Sequence, residues 1–218
     1  MAIADRKEKQ KQELKKMILD ASMKLFVEDG FEHVTMRKIA DLIEYSPTTV
    51  YLYFKDKNEI LYSLHELGFQ KMGEKNHNLF EIQNPLMRLY KMGENYIEFG
   101  MENPEFYDVM FIQHAPMQVL EEMEEQCEWK HGEAALNALK QTVEECMQQG
   151  FLKKGNVEAA SMSIWGMVHG LVSLAIRQRL DKLCPPAKNF VGNNNLKTMM
   201  YHSLTWFLNS IDQSGKKK

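Results

Sequence analysis

The stretch that decides the fold runs from Thr35 to Leu61 and reads TMRKIADLIEYSPTTVYLYFKDKNEIL. The side chain of Thr35 can cap the first turn of a short helix. Apolar residues then recur at helical spacing, and we expect Ile39, Ala40 and Ile43 to form the buried face of that helix. Because Ala40 has a small side chain, a second helix can cross the first one closely.

A second short helix follows directly. The first helix is interrupted at residues 44–45, and Ser46 and Pro47 have the residue types of a helix cap and a first helical position. Two short helices joined by a turn of about three residues make a helix-turn-helix. Residues 56–59, Asp-Lys-Asn-Glu, have the spacing of a capping box and predict the start of a further helix.

The second helix has the chemistry of a DNA-recognition helix. The short side chains of Thr48 and Thr49 would let it lie deep in a major groove, where threonine hydroxyls and methyls meet base edges. Tyrosine hydroxyls and a lysine after the helix can contact phosphates. From these patterns alone, a buried helix pair with surface hydroxyls is an equally good interpretation. The predicted DNA-binding residues are Thr35, Arg37, Tyr45, Ser46, Pro47, Thr48, Thr49, Tyr51, Tyr53 and Lys57.

The same run resembles the DNA-binding domain of TetR-family transcriptional regulators. The resemblance covers about residues 10–65 and rests on Gly30-Phe31, on TMRKIA at 35–40 and on SPTTVYLYFKDK at 46–57. Two positions depart from the family pattern. The family often has Ala-Gly-Val in the turn, where this chain has Ile-Glu-Tyr, and it often has glycine at the position of Thr48. The resemblance implies a DNA-binding regulator of transcription.

A shorter resemblance lies at residues 165–170, which read Trp-Gly-Met-Val-His-Gly. This segment is similar to the tryptophan-histidine-glycine signature of one class of TetR C-terminal domains. The similarity implies an all-helical region that senses a ligand and forms a dimer.

The composition limits the classes of protein to consider. Of 218 residues, 44% are hydrophobic and 26% are charged, as in soluble globular proteins. A net charge of −3 excludes a basic field over the whole chain, so a DNA-binding surface must be local. Residues 1–16 include six basic and three acidic side chains, which predicts that the N-terminal end faces DNA. Three scattered cysteines and a highly charged N-terminus favour a cytoplasmic protein without a signal peptide.

Helical periodicity runs from end to end, with few strand signals. We expect an all-α fold of about nine helices, with a three-helix DNA-binding head at residues 1–56 and a helical ligand-sensing and dimerisation body at residues 57–218. The first helix should bury a stripe of five apolar residues: Leu14, Met17, Ile18, Ala21 and Leu25.

Glycines and prolines mark further helix boundaries. Helix ends are predicted at Gly30 and Gly150, and helix starts at Pro85 and Pro104. The uncharged run at 159–176 is interpreted as part of a buried helix that starts after Asn156 and reaches about Leu183, not as a membrane span. A loop is predicted at 188–195.

The body is rich in methionine and aromatic residues, which can line a pocket that adapts to apolar ligands. For any one of these side chains, plain core packing is the simpler interpretation. His169 is either a ligand-sensing or pH-sensitive group or, more simply, a hydrogen-bonded core histidine. The predicted ligand-pocket residues are Met87, Tyr90, Met101, Tyr107, Met110, Phe111, Trp129, Trp165 and His169.

The last two long helices are predicted to form a homodimer interface. Their apolar surface exceeds what one packing partner covers, and small residues leave room for close helix approach. A single short recognition helix contacts too few base pairs for useful specificity, so two heads reading a pseudo-palindrome are expected. The predicted interface residues are Ile164, Val168, Leu171, Val172, Leu204, Phe207, Leu208 and Ile211.

Signals for a catalytic or metal site are weak. Cys127 and His131 have i, i+4 spacing, but two ligands do not make a metal site, and a solvated helix face is the simpler interpretation. The eight glutamates of residues 116–150 are likewise interpreted as a solvated face rather than a cation-binding surface. No catalytic or nucleotide-binding motif is present, so we expect no enzyme, no metal and no cofactor.

The resemblance implies a repressor that a small apolar or amphipathic ligand releases from a double-stranded DNA operator. Two alternatives remain open. The first is a DNA-binding protein of the same fold that acts without ligand, as an activator or an architectural protein. The second is a helical enzyme or interaction module that has lost DNA binding.

Overall fold

The computed structural model describes residues 3–113, 130–177 and 195–216. Within these ranges the chain forms nine α-helices and no strand, which confirms the predicted all-α class. The helices are α1 Ile3–Glu28, α2 Met36–Leu42, α3 Pro47–Tyr51, α4 Lys57–Asn76, α5 Pro85–Glu102, α6 Pro104–Phe111, α7 Lys130–Gln148, α8 Val157–Ile176 and α9 Asn195–Ile211. Short 3₁₀ turns lie at Phe31–His33, Leu79–Glu81 and Ser214–Lys216.

Some predictions concern residues outside the described ranges. They are the pairing of Cys127 with His131, the pocket residue Trp129, most of the glutamate-rich face and the loop at 188–195. Helix α8 ends at Ile176, where Arg177 is its C-cap, and not near Leu183 as predicted.

The chain divides into two compact units. The first combines Met1–Gly68 with Glu105–Trp129, and the second combines Phe69–Pro104 with Lys130–Lys218. Helix α4 therefore begins in the first unit and ends in the second. The predicted assignment of roles to residues 1–56 and 57–218 stays a prediction.

The first unit has its own apolar core, to which five different helices contribute, α4 among them with Ile60, Leu61 and Leu64. Ile18 and Phe26 of α1, Ile39 of α2, Val50 of α3 and Val109 of α6 are all 0% exposed. Burying such side chains stabilises the fold by about 1.5–3 kcal/mol each. Because Val109 belongs to this core, α6 is a structural part of the helix-turn-helix unit, although it lies about 50 residues further along the chain.

The buried face of α1 agrees with the predicted stripe in part: Ile18 is buried, and Leu14, Ala21 and Leu25 are partly buried against the core. Met17 of the predicted stripe is 44% exposed, whereas Leu19 and Met23 are buried. Ser22 is also fully buried, and its hydroxyl donates a hydrogen bond of 2.7 Å to the carbonyl of Ile18, which satisfies the buried polar group. Helical periodicity predicted the position of the stripe to within about one residue on either side. Packing against the other helices of the unit decides which of these residues are buried.

The predicted caps of the first unit are confirmed. The hydroxyl of Thr35 accepts from the Lys38 N–H at the start of α2. At the start of α4, Asp56 Oδ1 accepts from the Glu59 N–H at 2.9 Å, and the Glu59 carboxylate accepts from the Lys55 N–H at 2.6 Å. Each such cap stabilises its helix by about 1 kcal/mol, because it satisfies N–H groups that have no partner within the helix.

The predicted glycine positions at helix ends have positive φ angles. Gly150 has φ 79° and ends α7, and the next N–H, of Phe151, donates to the Cys146 carbonyl at 2.8 Å. This is the Schellman arrangement. Gly30 has φ 81° but ψ 147°, so it turns the chain after α1 without adopting the left-handed helical conformation that we expected.

In the second unit, α5 is the central helix and packs against α7, α8 and α9. It starts as predicted, with Asn84 Oδ1 accepting from the N–H groups of Leu86 and Met87. A Cβ atom at Gly93 would come within 2.8 Å of the Leu204 methyl groups. Because glycine has no Cβ atom, α5 and α9 can approach each other closely at this position.

A buried ion pair also joins helices of the second unit. Arg88 of α5 has a side chain only 4% exposed, and its guanidinium pairs with the carboxylate of Glu145 on α7. The guanidinium also lies 4.6 Å from the centre of the Phe80 ring. Removing the 29%-exposed Glu145 carboxylate would cost about 3–5 kcal/mol, because it would leave the Arg88 charge buried without compensation.

Five of the eight predicted interface residues are instead core residues of the single chain. Ile164, Val168 and Val172 of α8 and Leu204 and Leu208 of α9 are 0–6% exposed within the second unit. Leu171, Phe207 and Ile211 are partly buried. The prediction was wrong for the five buried residues because an apolar stripe shows which residues share a face, not whether the same chain or a second copy covers it.

The free face of these helices carries other residues. On α8, Met162 and Leu174 are 39% and 37% exposed, and a Cβ atom at Gly166 or Gly170 would have nothing within 4 Å. On α9, Trp206 is 74% exposed. By length and composition alone α8 could cross a membrane, and 28% of its most apolar 18-residue segment is buried. The core helix of a soluble protein can have the same length and composition.

Candidate DNA-binding and ligand-binding sites

Helix α3 is anchored on one side and exposed on the other. Val50 and Phe54 are 0% and 2% exposed and fasten α3 to the core of the first unit. At its start, the Ser46 hydroxyl accepts from the Thr49 N–H at 3.2 Å, and Pro47 occupies the first turn, as predicted. The exposed side of α3 carries the short side chains at the N-terminal end of the helix. In helix-turn-helix proteins, this end of the second helix contacts base edges.

The turn between α2 and α3 depends on a residue with a strained backbone. Glu44 has φ 59°, the only positive φ outside glycine among the described residues. The following N–H, of Tyr45, donates to the Ala40 carbonyl at 3.0 Å and closes the end of α2. A left-handed conformation costs a residue with a Cβ atom about 1–2 kcal/mol. This geometry explains why glycine is suited to the position that Glu44 occupies.

The two threonines of α3 differ in their surroundings. The Thr49 hydroxyl lies 2.9 Å from the Ser46 hydroxyl and is part of the helix cap. Thr48 is exposed, and its hydroxyl has no partner among the residues that the structure describes. Thr48 is therefore the better placed of the two to exchange hydrogen bonds with a base.

Aromatic and basic side chains follow α3 on its exposed side. Tyr51 is 54% exposed, while Tyr53 is partly buried against the core. Leu52, next to it, is 78% exposed. Lys55 is exposed and forms no ion pair with a described residue. Leu52 and Lys55 were not predicted as site residues, although both lie within the motif that carried the family resemblance.

The Lys57 side chain forms contacts within the protein. Its ammonium donates a hydrogen bond of 3.0 Å to the Phe31 carbonyl and lies 4.2 Å from the centre of the Phe31 ring. Glu32 Oε2 lies 4.0 Å away. Lys57 therefore holds the 3₁₀ turn after α1 against the start of α4, in addition to any contact with phosphate.

The remaining predicted DNA-binding residues lie on or next to α2. Thr35, Arg37 and Tyr45 are all exposed, and Arg37 Nε lies 4.0 Å from Asp41 Oδ2. An exposed pair at this distance contributes little to stability, so the guanidinium can exchange it for a phosphate at small cost. The structure thus brings all ten predicted residues together in the helix-turn-helix and its flanks.

A polar cluster joins α5 to α8 in the second unit. The indole N–H of Trp165 donates to the Tyr96 hydroxyl at 3.1 Å, and this hydroxyl lies 3.2 Å from His169 Nδ1. Burial lowers the pKa of His169, which favours the neutral imidazole. The Nδ1 atom of a neutral imidazole can accept a hydrogen bond from the Tyr96 hydroxyl. The three side chains therefore form one hydrogen-bond chain within an otherwise apolar region. Tyr96, which is 8% exposed, was not among the predicted pocket residues.

The other predicted pocket residues are divided between the two units. Tyr107, Met110 and Phe111 belong to the first unit, where Met110 packs over Gly68. Met87 is 56% exposed at the start of α5, so its prediction as an interior residue was wrong. The remaining residues lie in the second unit: Tyr90, whose hydroxyl donates to Asn209, and the partly buried Met101. Among the described residues, no group of three or more His, Cys, Asp or Glu side chains could hold a metal ion.

Two family models match the chain. The model for bacterial regulatory proteins of the tetR family matches residues 18–64, which include the helix-turn-helix. The model for the tetracyclin repressor-like C-terminal domain matches residues 89–190. The chain belongs to the TetR family of transcriptional regulators. It is accordingly a DNA-binding regulator of transcription.

Individual relatives agree with the family. Over 66 residues the chain is 38% identical to the fatty acid metabolism regulator protein of Bacillus subtilis, a match that spans 30% of this chain and 32% of that protein. The chain thus matches about a third of the length of this curated relative.

Solved structures of TetR-family regulators share the fold. The fatty acid degradation regulator FadR from Bacillus halodurans has a TM-score of 0.70 at 18% identity, over 90% of this chain and 95% of that one. The regulator PfmR from Thermus thermophilus has a TM-score of 0.64 at 18% identity, over 88% and 97%. At such low identity the likeness of this TetR-family regulator to both proteins establishes the fold alone.

Proposed function

We propose that the protein is a homodimeric repressor that leaves a pseudo-palindromic operator when a long-chain fatty acyl compound binds its second unit. The DNA-binding half of this proposal rests on the exposed recognition helix. The ligand half is carried by the hydrogen-bond chain of the buried Tyr96 with the partly buried Trp165 and His169, because a few convergent polar groups are typical of a site for an amphipathic molecule.

The names of relatives favour the acyl class. The similar protein of Bacillus subtilis regulates fatty acid metabolism, and that of Bacillus halodurans regulates fatty acid degradation. An acyl compound has a long apolar tail and one polar end, which matches the flexible methionines and the polar group around Tyr96 in the second unit. Ligand and DNA would favour different arrangements of the protein, so each would weaken the binding of the other.

The dimer is supported by the free face of α8 and α9. Because α3 has five residues, one head reads few base pairs, and two heads are needed for specificity. Gly166 and Gly170 leave open space on α8, and Trp206 projects from α9. We propose that a second copy covers this face, with the small residues allowing close helix contact. Stable homodimer interfaces commonly bury more than about 2,000 Å² in total.

The ligand proposal is tested by displacement from DNA. The probe is a duplex from upstream of the protein's own coding region, and the ligands are palmitoyl-coenzyme A and, as matched control, acetyl-coenzyme A. We expect palmitoyl-coenzyme A to release the DNA and acetyl-coenzyme A to leave it bound, because only the former has a long apolar tail. Equal effects of both, or none from either, would contradict the acyl ligand while leaving DNA binding intact.

The dimer is tested with two substitutions on the same two helices. Gly166→Arg places a charge on the free face, so we expect a folded monomer that no longer binds the operator. Leu208→Glu places a charge in the core of the single chain, so we expect loss of the fold itself. Sedimentation and circular dichroism separate the two results. A dimeric Gly166→Arg variant would place the interface elsewhere.

We further propose that the protein acts by binding alone, without catalysis, cofactor or metal, and that it does so in the cytoplasm. Membership of a family of transcriptional regulators supports both statements. We propose no membrane partner, since α8 has a core face and a free face within a globular unit.

A further inference from the structure

Helix α1 extends well beyond the core of its unit. It begins at Ile3, yet its first fully buried residue is Ile18, and every side chain from 5 to 13 is exposed. At 1.5 Å per residue, the exposed segment projects by roughly 20 Å. An amphipathic helix normally ends where its apolar face ends, so this extension has no explanation in the packing of the unit.

The exposed segment continues the buried face of α1 with lysines. Residues 7, 11, 15, 18, 22 and 26 follow one another at spacings of three or four, so they share one face of the helix. Ile18, Ser22 and Phe26 are 0% exposed. The three positions before them are Lys7, Lys11 and Lys15. We call these three residues the lysine stripe.

The lysine stripe begins next to the recognition helix. Lys15 Nζ lies 5.5 Å from the centre of the Phe54 ring, and Phe54 follows the end of α3 by three residues. Lys11 and Lys7 precede Lys15 on the same face of α1, in the exposed segment that comes before the core of the unit. In the part of the chain that the structure describes, neither Lys7 nor Lys11 forms an ion pair.

The acidic residues in this part of α1 do not neutralise the positive charge of the lysine stripe. Glu13 lies on the opposite face and pairs with Lys9, and Asp20 pairs with Lys16. Glu8 lies at the edge of the stripe, where it accepts a hydrogen bond from Gln12. The free positive charge is therefore concentrated on the face that the rest of α1 turns towards the helix-turn-helix.

We propose that Lys7, Lys11 and Lys15 bind the phosphates of the DNA backbone beside the base pairs that α3 reads. The stripe is about 12 Å long, the rise of three to four base pairs along one strand. Phosphate contacts carry no sequence information but fix the register of the protein on DNA. This inference rests on DNA binding by the family and is independent of the acyl ligand.

Two double variants of equal charge test the stripe. Lys7→Gln with Lys11→Gln removes two charges from the stripe, and Lys9→Gln with Lys16→Gln removes two from the opposite face of the same helix. Dissociation constants are measured between 50 and 200 mM KCl on a 40-base-pair duplex from upstream of the coding region and on a mixed-sequence duplex of the same length. Circular dichroism verifies that both variants remain helical.

The stripe variant should flatten the slope of log affinity against log salt by about 1.8 per bound head. Over this salt range the wild type should then lose about tenfold more affinity than the stripe variant for each bound head, or about 150-fold for a dimer with both heads bound. The effect should appear on both duplexes, because phosphates are common to both, and the control variant should behave like the wild type.

Other outcomes overturn the proposal. Equal slopes for the two double variants would mean that only net charge matters and that the lysine stripe is a solvated face. Stripe-dependent binding to phosphatidylglycerol vesicles with unchanged DNA binding would assign the stripe to an anionic lipid surface. A wild-type chain with no affinity for either duplex would contradict DNA binding itself, on which the stripe depends.

Discussion

The hydroxyl of Tyr96 on α5 lies 3.2 Å from Nδ1 of His169 on α8, and the Trp165 N–H donates to the same hydroxyl. Two helices that are distant in sequence are thereby joined through one oxygen atom in an apolar region. Any ligand group that competes for this oxygen would alter the contact between α5 and α8.

Tyr96→Phe is expected to lower the free energy of unfolding by about 1–2 kcal/mol, because it removes a largely buried acceptor and donor at once. If the proposed acyl ligand uses this polar group, the variant should also need more palmitoyl-coenzyme A for release from DNA. Tyr201→Phe, which removes a hydroxyl that donates to Glu98, is the control and should leave the ligand response unchanged. An unaltered response in Tyr96→Phe would remove the cluster from the ligand site.

Glu44→Gly should stabilise the protein by about 1 kcal/mol, because glycine adopts the φ of 59° without the steric cost that a Cβ atom carries. Glu44→Ala keeps the Cβ atom and should give no such gain. Urea unfolding provides the measurement, as a higher midpoint with an unchanged slope. Equal effects of the two substitutions would assign the gain to loss of the carboxylate instead.

Thr48→Ala should change which base is preferred at one operator position, with a loss of roughly 1–3 kcal/mol in discrimination. Thr49→Ala should mainly weaken the start of α3, since its hydroxyl is shared with Ser46. Binding to operators mutated one position at a time distinguishes the two effects. If Thr48→Ala keeps the wild-type preference at every position, α3 lies in the groove differently from our expectation.

Lys57→Ala should lower both stability and DNA affinity, because the ammonium holds the Phe31 carbonyl and is predicted to contact a phosphate. A phosphate contact would flatten the salt slope by about 0.9 per head. Lys55→Ala, at an exposed position, should change the slope without changing stability. A destabilised Lys57→Ala variant with the wild-type slope would show that Lys57 acts only within the protein.

His65 should make stability depend on pH. Burial lowers its pKa from 6.5 to about 4, and a hydrogen bond with the Met110 backbone offsets this only in part. Above pH 6.5 the imidazole of His65 is unprotonated in both the folded and the unfolded chain. Between pH 6.5 and pH 4 it is protonated in the unfolded chain but not in the folded chain. The free energy of unfolding should therefore fall by about 3 kcal/mol as the pH falls through this window.

His65→Asn should remove this part of the pH dependence, whatever its effect on stability at neutral pH. Chemical unfolding at several pH values gives both curves. Parallel profiles for wild type and His65→Asn would mean that other groups cause the acid sensitivity.

Local chemistry in the sequence was sufficient for the helix-turn-helix. The caps at Thr35, Ser46 and Asp56 are correct because a cap needs only side chains within three or four residues of the N–H groups that it satisfies. The same holds for the positive φ of Gly30 and Gly150. The all-α class followed from periodicity, which is also a property of neighbouring residues.

Only the tertiary structure decided which partner each apolar face meets. The stripe of α8 and α9 was correctly read as one face, but Ile164 and Leu208 lie in the core of the single chain, and the exposed positions are Gly166 and Trp206. Likewise, no spacing in the sequence joins Tyr96 to a histidine 73 residues later. Contacts between distant segments depend on how whole helices pack, and helical periodicity contains no information about the partner.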